Sequence, residues 1–484
     1  MKMKRRILSA ILAMSLIFGL AASVGITAKA DEIIVTNGDF EYADYGDTSV
    51  YIFRYNGSDT NVDIPSEIEG KSVVTIGPHC FYDCTSLESV TIPESIIKIG
   101  SCAFSGCTSL KSVTIPKRVI EIGSWAFSDC KSLTKIEVSE GNDYFISENG
   151  VLFDKQKTKL IQYPVGKTDK SYDIPYGVSE ICDCAFEWCT SLEKITIPNS
   201  IKSIGLAAFD DTGVYNNKSN WQDGALYIGQ CLIDGTMHAY DEISGEYESL
   251  DKVKGDYAIK DGTKVIAEGA FDACDSLTSV IIPSSVEEVS NAAFRHCSSL
   301  KNVTIPNSIT RIGDDAFMWS NIEEIEIPSS VTSIGEQAFG WCVSLKSAVI
   351  PESVETVGDY AFVGCLSLED VTVPKSVTFM GRYVFDTCDS MTLHCYEGSL
   401  AHQYAIKNRI KYTLIDLKHG DLDSNGKINL GDLIAMRKYL AKWSININTA
   451  NADCNADGRV NLLDLILLRK YLANWNVTLG GNVN

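Results

Sequence analysis

Two stretches 32 residues apart place oxygen donors at every second position of a short loop: Asp421, Asp423 and Asn425 in DLDSNGKINLGD, then Asp453, Asn455 and Asp457 in DCNADGRVNLLD. A glycine follows in each, Gly426 and Gly458, and allows the sharp turn through which three side chains converge on one ion. Position seven lends a backbone carbonyl, so Lys427 and Arg459 are acceptable there. Asn429 and Asn461 at position nine can act through water, and Asp432 and Asp464 close the loops. Hard oxygen ligands in this order select calcium, two ions in all. Acidic turns without metal are the plainer alternative, and duplication of the whole pattern argues against it. Each loop runs into an apolar, helix-forming stretch, LIAMRKYLAKW and LILLRKYLANW. Two short helices bury little core, so calcium is expected to hold this module folded.

Most of the 484 residues upstream are one repeated unit. CTSLESVTIPESIIKIGSCAF, CTSLKSVTIPKRVIEIGSWAF and CSSLKNVTIPNSITRIGDDAF share a consensus whose final aromatic recurs from Phe81 to Phe385, most often every 23 residues. Within SVTIP, Val and Ile face one way and Ser and Thr the other, as a short half-buried strand requires. Ten of the twelve prolines end such a stretch, where the missing N–H costs the ladder nothing. One unit cannot bury its apolar side alone, so the units must stack into a solenoid with phenylalanine in the core. Two longer gaps, holding DYFISENGVLFDKQKTKLIQYP and WQDGALYIGQCLIDG, read as hairpins projecting from the stack.

Nine of the sixteen cysteines, including Cys107, Cys297 and Cys365, share one phase of the repeat. Strand spacing permits a disulfide between neighbours, yet a column filled by period is more simply a ladder of buried thiols. A single column lacks the paired clusters that tetrahedral zinc wants. His296, Trp319 and Trp341 hold the place two after the phenylalanine in successive units. They read as a ligand platform for a sugar ring or a partner protein, or as padding of the turns. Outward strand residues such as Ser89, Thr91, Asn302, Thr304, Glu324 and Glu326 make a solvated face first and a recognition surface second.

The basic MKMKRR, the apolar run after it and AKA before Asp31 read as an export signal over residues 1–30. An uncleaved membrane anchor is the alternative. Without its five positive residues the formal charge falls from -21 to about -26, which repels phosphate backbones and excludes nucleic-acid partners. No later segment reaches the length of a membrane helix, so a secreted monomer without a membrane span is expected.

The repeats resemble the bacterial surface leucine-rich repeats of 23-residue period, the BspA-like type. The resemblance implies a strand-rich N-terminal cap at residues 31–74 and a solenoid at 75–415, closed by a helix and strand in YEGSLAHQYAIKNRIKYTLI. Residues 416–484, with loops that end in aspartate where an EF-hand has glutamate and with no entering helix, resemble a type I dockerin. That family implies a cohesin module of a cellulosome-type scaffold as partner. It puts the cohesin-reading positions at Leu430, Gly431, Arg437 and Lys438 and at Leu462, Leu463, Arg469 and Lys470. The fold class expected is mixed β/α: a leucine-rich-repeat solenoid with cap and hairpin insertions, then a small all-α calcium-binding dockerin. Address, cap, solenoid and dockerin account for the chain, which points to a non-catalytic adaptor binding a polysaccharide, a cell surface or a protein. The alternatives are a glycoside hydrolase of polysaccharide breakdown, which needs two carboxylates facing across a cleft, and a host or surface adhesin.

Overall fold

The computed structural model describes residues 35–480 except 237, 242–245, 250–252, 416–417, 424, 426, 444, 446 and 458. The expected export signal lies outside the described residues, as do Gly426 and Gly458. Among the described residues no helix is long and apolar enough to cross a membrane.

Each unit makes one turn, and most contribute two short strands, such as Ser89–Thr91 and Lys98–Ile99; the unit around Ile325 has a single bridge to Ala348 in place of the first. In the first, Val90 points inward between exposed Ser89 and Thr91. Successive units pair in parallel and in register: Val280 faces Val303, and Ile312 faces Ile334. Equal positions therefore form columns along the axis, about 4.8 Å per step. The phenylalanines stack in one such column, Phe294 and Phe317 lying 5.4 Å apart at 5°. The thiols fill another. Cys297, Cys342, Cys365 and Cys388 are buried free cysteines, and each donates to the carbonyl of the preceding unit's phenylalanine at 3.1–3.2 Å.

The turn carrying the phenylalanine alternates backbone hand. In all eleven units the residues two before and two after it have positive φ, as at Asp315 (55°) and Trp319 (60°) around Phe317. The amides of Asp315, Phe317 and Trp319 consequently point along the axis and donate at 2.8 Å to Glu336, Ala338 and Gly340 of the next unit. A left-handed non-glycine residue costs roughly 1–2 kcal/mol, and each ladder bond spares a buried amide that would otherwise go unpaired.

Among the described residues the stack contains three turns that lack phenylalanine. Tyr55 donates its N–H to Cys80 O at 2.9 Å and lies 5.1 Å from the Phe81 ring. Tyr163 does the same with Ala185 O and Phe186, at 2.8 and 5.4 Å. Gly235 takes the place before Phe271, its N–H 2.7 Å from Ala270 O. A Cβ there would lie 2.4 Å from the Phe271 ring. The parallel stack thus reaches back through Asn61–Asp63 and Ser49–Tyr55 into the segment expected as a cap.

The two insertions do not project as expected. Val151–Asp154 and Lys159–Gln162 join one sheet of second strands through Glu180–Ile181, and Cys231–Asp234 joins another through Val265–Ile266. Leu152, Phe153, Leu160, Leu226 and Leu232 are fully buried, and a free hairpin would leave that apolar surface in water. His238–Asp241 and Glu246–Ser249 form a separate two-stranded ribbon. At the other end helix Leu400–Asn408 covers the last turns, Tyr404 Oη accepting from Val384 N at 2.8 Å. Strand Tyr412–Leu414 adds the final rung beside Thr392–Cys395.

Candidate metal centre and docking face

Helix Leu430–Leu440 begins where the first loop ends because the loop supplies its cap. Asn429 Oδ1 accepts from Gly431 N at 2.7 Å, and Asp432 Oδ2 accepts from Asn429 N at 2.8 Å. Together they satisfy amides the first turn leaves open. The other oxygen of Asp432 accepts from Leu422 N at 2.7 Å, so one fully buried carboxylate ties the start of the loop to the start of the helix. The turn between is wound by its own side chains: Asn425 N donates to Asp421 Oδ1 and Asp423 Oδ1 at 3.1 Å each, and Lys427 N to Asn425 Oδ1 at 2.9 Å.

Asp421, Asp423 and Asp432 each offer an oxygen, and these lie within 4.8 Å of one another. Asp421 and Asp432 are both buried. Carboxylates gathered this closely repel, and a divalent cation among them turns that cost into binding. The donor set is all oxygen, so the residues fit calcium.

The second loop repeats the pattern before helix Leu462–Leu472. Asp457 N donates to Asp453 Oδ1 and Asn455 Oδ1 at 3.1 and 3.2 Å, and Arg459 N to Asp457 Oδ1 at 2.9 Å. Asp464 closes it through Asn461 N at 2.8 Å, and Asn461 Oδ1 caps Leu463 N at 2.8 Å. Burial holds the Asp464 carboxyl above its ordinary range, a penalty that cation binding removes.

The two helices pack on each other over Leu422, Leu433, Met436, Ala452, Cys454 and Leu468. That turns Leu430, Leu462 and Leu463 outward, each 60–64% exposed. Gly431, Arg437, Lys438 and Arg469 are exposed too, and Lys470 is half-buried. Four apolar residues outside the expected set share the surface: Ile434 and Ile466, one helical turn after Leu430 and Leu462, and Trp443 and Trp475 beyond the helix ends. The tryptophans are set by helix stops. Lys442 and Asn474 adopt left-handed φ of 58° and 57°. Trp443 N then reaches Lys438 O and Lys442 N reaches Tyr439 O, at 3.0 and 2.9 Å, closing the helix. Lys438 and Lys470 lie 5.9 Å over the two indoles. Their recurrence in both KYLA-x-W endings was the available signal.

On the solenoid, Trp319 and Trp341 meet and His296 turns away. The indoles stack 4.9 Å apart at 3°, whereas His296 Nδ1 lies 3.1 Å from Asp272 Oδ1, beside an Arg295–Asp272 ion pair at 2.6 Å.

Residues 48–164, 166–232 and 264–392 match the family described as BspA type leucine rich repeat region, in six copies. Residues 419–473 match the type I dockerin domain. Comparison with curated proteins finds no match. Among solved structures, a leucine rich cell surface protein from Faecalibacterium prausnitzii is 26% identical over 78% of this chain and 98% of its own, with a TM-score of 0.31. A leucine-rich repeat protein from Eubacterium ventriosum is 20% identical, covering 68% and 93%, with a TM-score of 0.31. One from Bacteroides ovatus is 21% identical, covering 79% and 100%, with a TM-score of 0.27.

Proposed function

Because the chain belongs to the BspA type leucine rich repeat family and carries a type I dockerin domain, we propose that it is a secreted, non-catalytic adaptor. Residues 416–484 plug into a cohesin module of a scaffolding protein, and the solenoid, whose parallel stack runs from Ser49–Tyr55 to Tyr412–Leu414, holds a ligand. Type I dockerin domains bind calcium and imply attachment of the cellulosome type. Two ions are proposed here, one per loop. Calcium would supply the positive charge that lets each set of carboxylates stay ionised and together.

The observation that carries the reading is the duplicated loop–helix unit with outward apolar residues at matching places, Leu430 with Leu462 and Trp443 with Trp475. An apolar surface of this kind on a small module marks a protein partner. The two copies differ at Gly431 against Leu463, so the two faces are expected to bind cohesins unequally. Capture by a panel of immobilised cohesins, with and without chelator, tests the proposal; capture that is unchanged in excess chelator overturns it. The competing glycoside-hydrolase reading is tested by assaying the full chain on common polysaccharides. Turnover lost on removal of a single carboxylate would replace the adaptor.

A further inference from the structure

A groove runs along the second-strand face near the C-terminal end of the solenoid, and its floor is bare backbone. At Gly335 a Cβ would lie 2.6 Å from Asp314 N, and at Gly358 it would lie 2.5 Å from Glu336 N. Neither position has room for a side chain, which leaves a trough between the residues on either side of the glycines.

One wall is a row of acids from successive units, Asp314, Glu336 and Asp359. The outer two are fixed. Asp314 Oδ1 accepts from Glu336 N at 2.8 Å and Asp359 Oδ1 from Arg382 N at 2.8 Å, while Arg311 and Arg382 approach their second oxygens at 3.7 and 2.9 Å. Glu336, between them, meets no ion-pair partner among the described residues. The opposite wall presents the hydroxyls of Ser333 and Thr356 and then Phe379, a residue 54% exposed on a two-residue strand.

We propose that this groove binds an uncharged polysaccharide chain laid along the solenoid axis, an inference that rests on the solenoid being the ligand-binding arm. Fixed carboxylates and hydroxyls are acceptors for rows of sugar hydroxyls. An exposed ring covers the apolar face of a sugar, as aromatic side chains do in ligand sites. The trough repeats its groups once per turn, about 4.8 Å, which suits a polymer lying across several turns. Acidic polymers are repelled by the carboxylate wall and by the net charge of -21. A cationic protein segment is the competing occupant. It is disfavoured because two of the three acids already face guanidinium groups, and because it would leave the hydroxyls and Phe379 without a role.

Affinity electrophoresis of the full chain tests this in gels containing xyloglucan, hydroxyethyl cellulose, galactomannan or mixed-linkage glucan, with polygalacturonate and poly-lysine as counter-probes. At least one uncharged polymer is expected to retard the chain. Phe379→Ala and Glu336→Gln should each weaken retardation tenfold or more, with thermal melts and cohesin capture unchanged, and Trp319→Ala should not weaken it. No retardation by any of the four, equal retardation of both variants, or retention by poly-lysine alone lost in Glu336→Gln overturns the proposal. A chain that still captures its cohesin but ignores every polymer removes the groove inference and leaves the docking reading standing. Failure of cohesin capture strikes the docking reading alone.

Discussion

The indole rings of Trp319 and Trp341 lie face to face, 4.9 Å apart and 3° from parallel. An in-register stack brings side chains of one phase close enough to meet this way, as the phenylalanines beneath them do. Gly364, the next residue in the column, lies against the outer face of Trp341, where a Cβ would come within 2.5 Å of the ring. The pair therefore shows ring edges and one face, that of Trp319, which is 43% exposed. A partner protein that reads this stripe is expected to depend on Trp319 more than on Trp341.

Gly364→Ala is expected to destabilise the solenoid by about 2 kcal/mol, combining a φ of 70° with a clash against Trp341. Urea unfolding followed by tryptophan fluorescence measures it. A substitution without effect would mean that Trp341 does not pack there.

Two thiols in the interior of the column, Cys130 and Cys342, should be chemically silent. Burial pushes Cys130 and Cys342 up to about 12, and both are buried. Alkylation of the native chain at pH 8 should spare them and reach them after denaturation, read by mass spectrometry. A preparation whose neighbouring column thiols are joined as disulfides would contradict the ladder.

Glu268 should make stability fall with pH. Burial first, then Asp183, pushes its carboxyl from 4.5 up to about 7, against a hydrogen bond from Asn291 at 3.0 Å and the charge of Arg311, with Glu288 adding to the rise. The folded chain thus holds this proton more tightly than the unfolded chain. Its contribution is complete below about 4.5 and is lost as pH climbs through about 7. Glu268→Gln should raise stability at pH 8 by on the order of 2 kcal/mol and change little at pH 4.5. Equal gains at both would point to packing instead.

Chelation is expected to melt helices Leu430–Leu440 and Leu462–Leu472 while the solenoid keeps its strands. Circular dichroism should show helical signal lost with strand signal retained. Asp432→Ala removes a helix cap, a loop acceptor and a proposed ligand together, so it should lower the module's melting temperature even in saturating calcium. Helices that persist in excess chelator would dissociate the fold from the metal.

The solenoid was legible because every unit repeats its apolar residues at one phase, and period alone fixes a stack. The calcium loops were legible because ligand geometry permits few residue types. Tyr55, Tyr163 and Gly235 fall outside a column defined by phenylalanine, although Tyr163 stands 23 residues before Phe186. The insertions read as projections because local alternation marks a hairpin but not what its apolar face will meet. The left-handed positions had no signature, since alanine, tryptophan, glutamine and aspartate all occupy them; the ladder to the next turn imposes their conformation.

The in-register ladder also determines how this chain would carry force. Among the described residues the strands of each turn pair with those of its neighbours, across the axis. A pull through a docked C-terminal module would load those bonds one rung at a time, as in a zipper, beginning at Tyr412–Leu414. Tension would then be relieved by peeling single turns, each free to close again, while the turns farther along kept their shape and their hold.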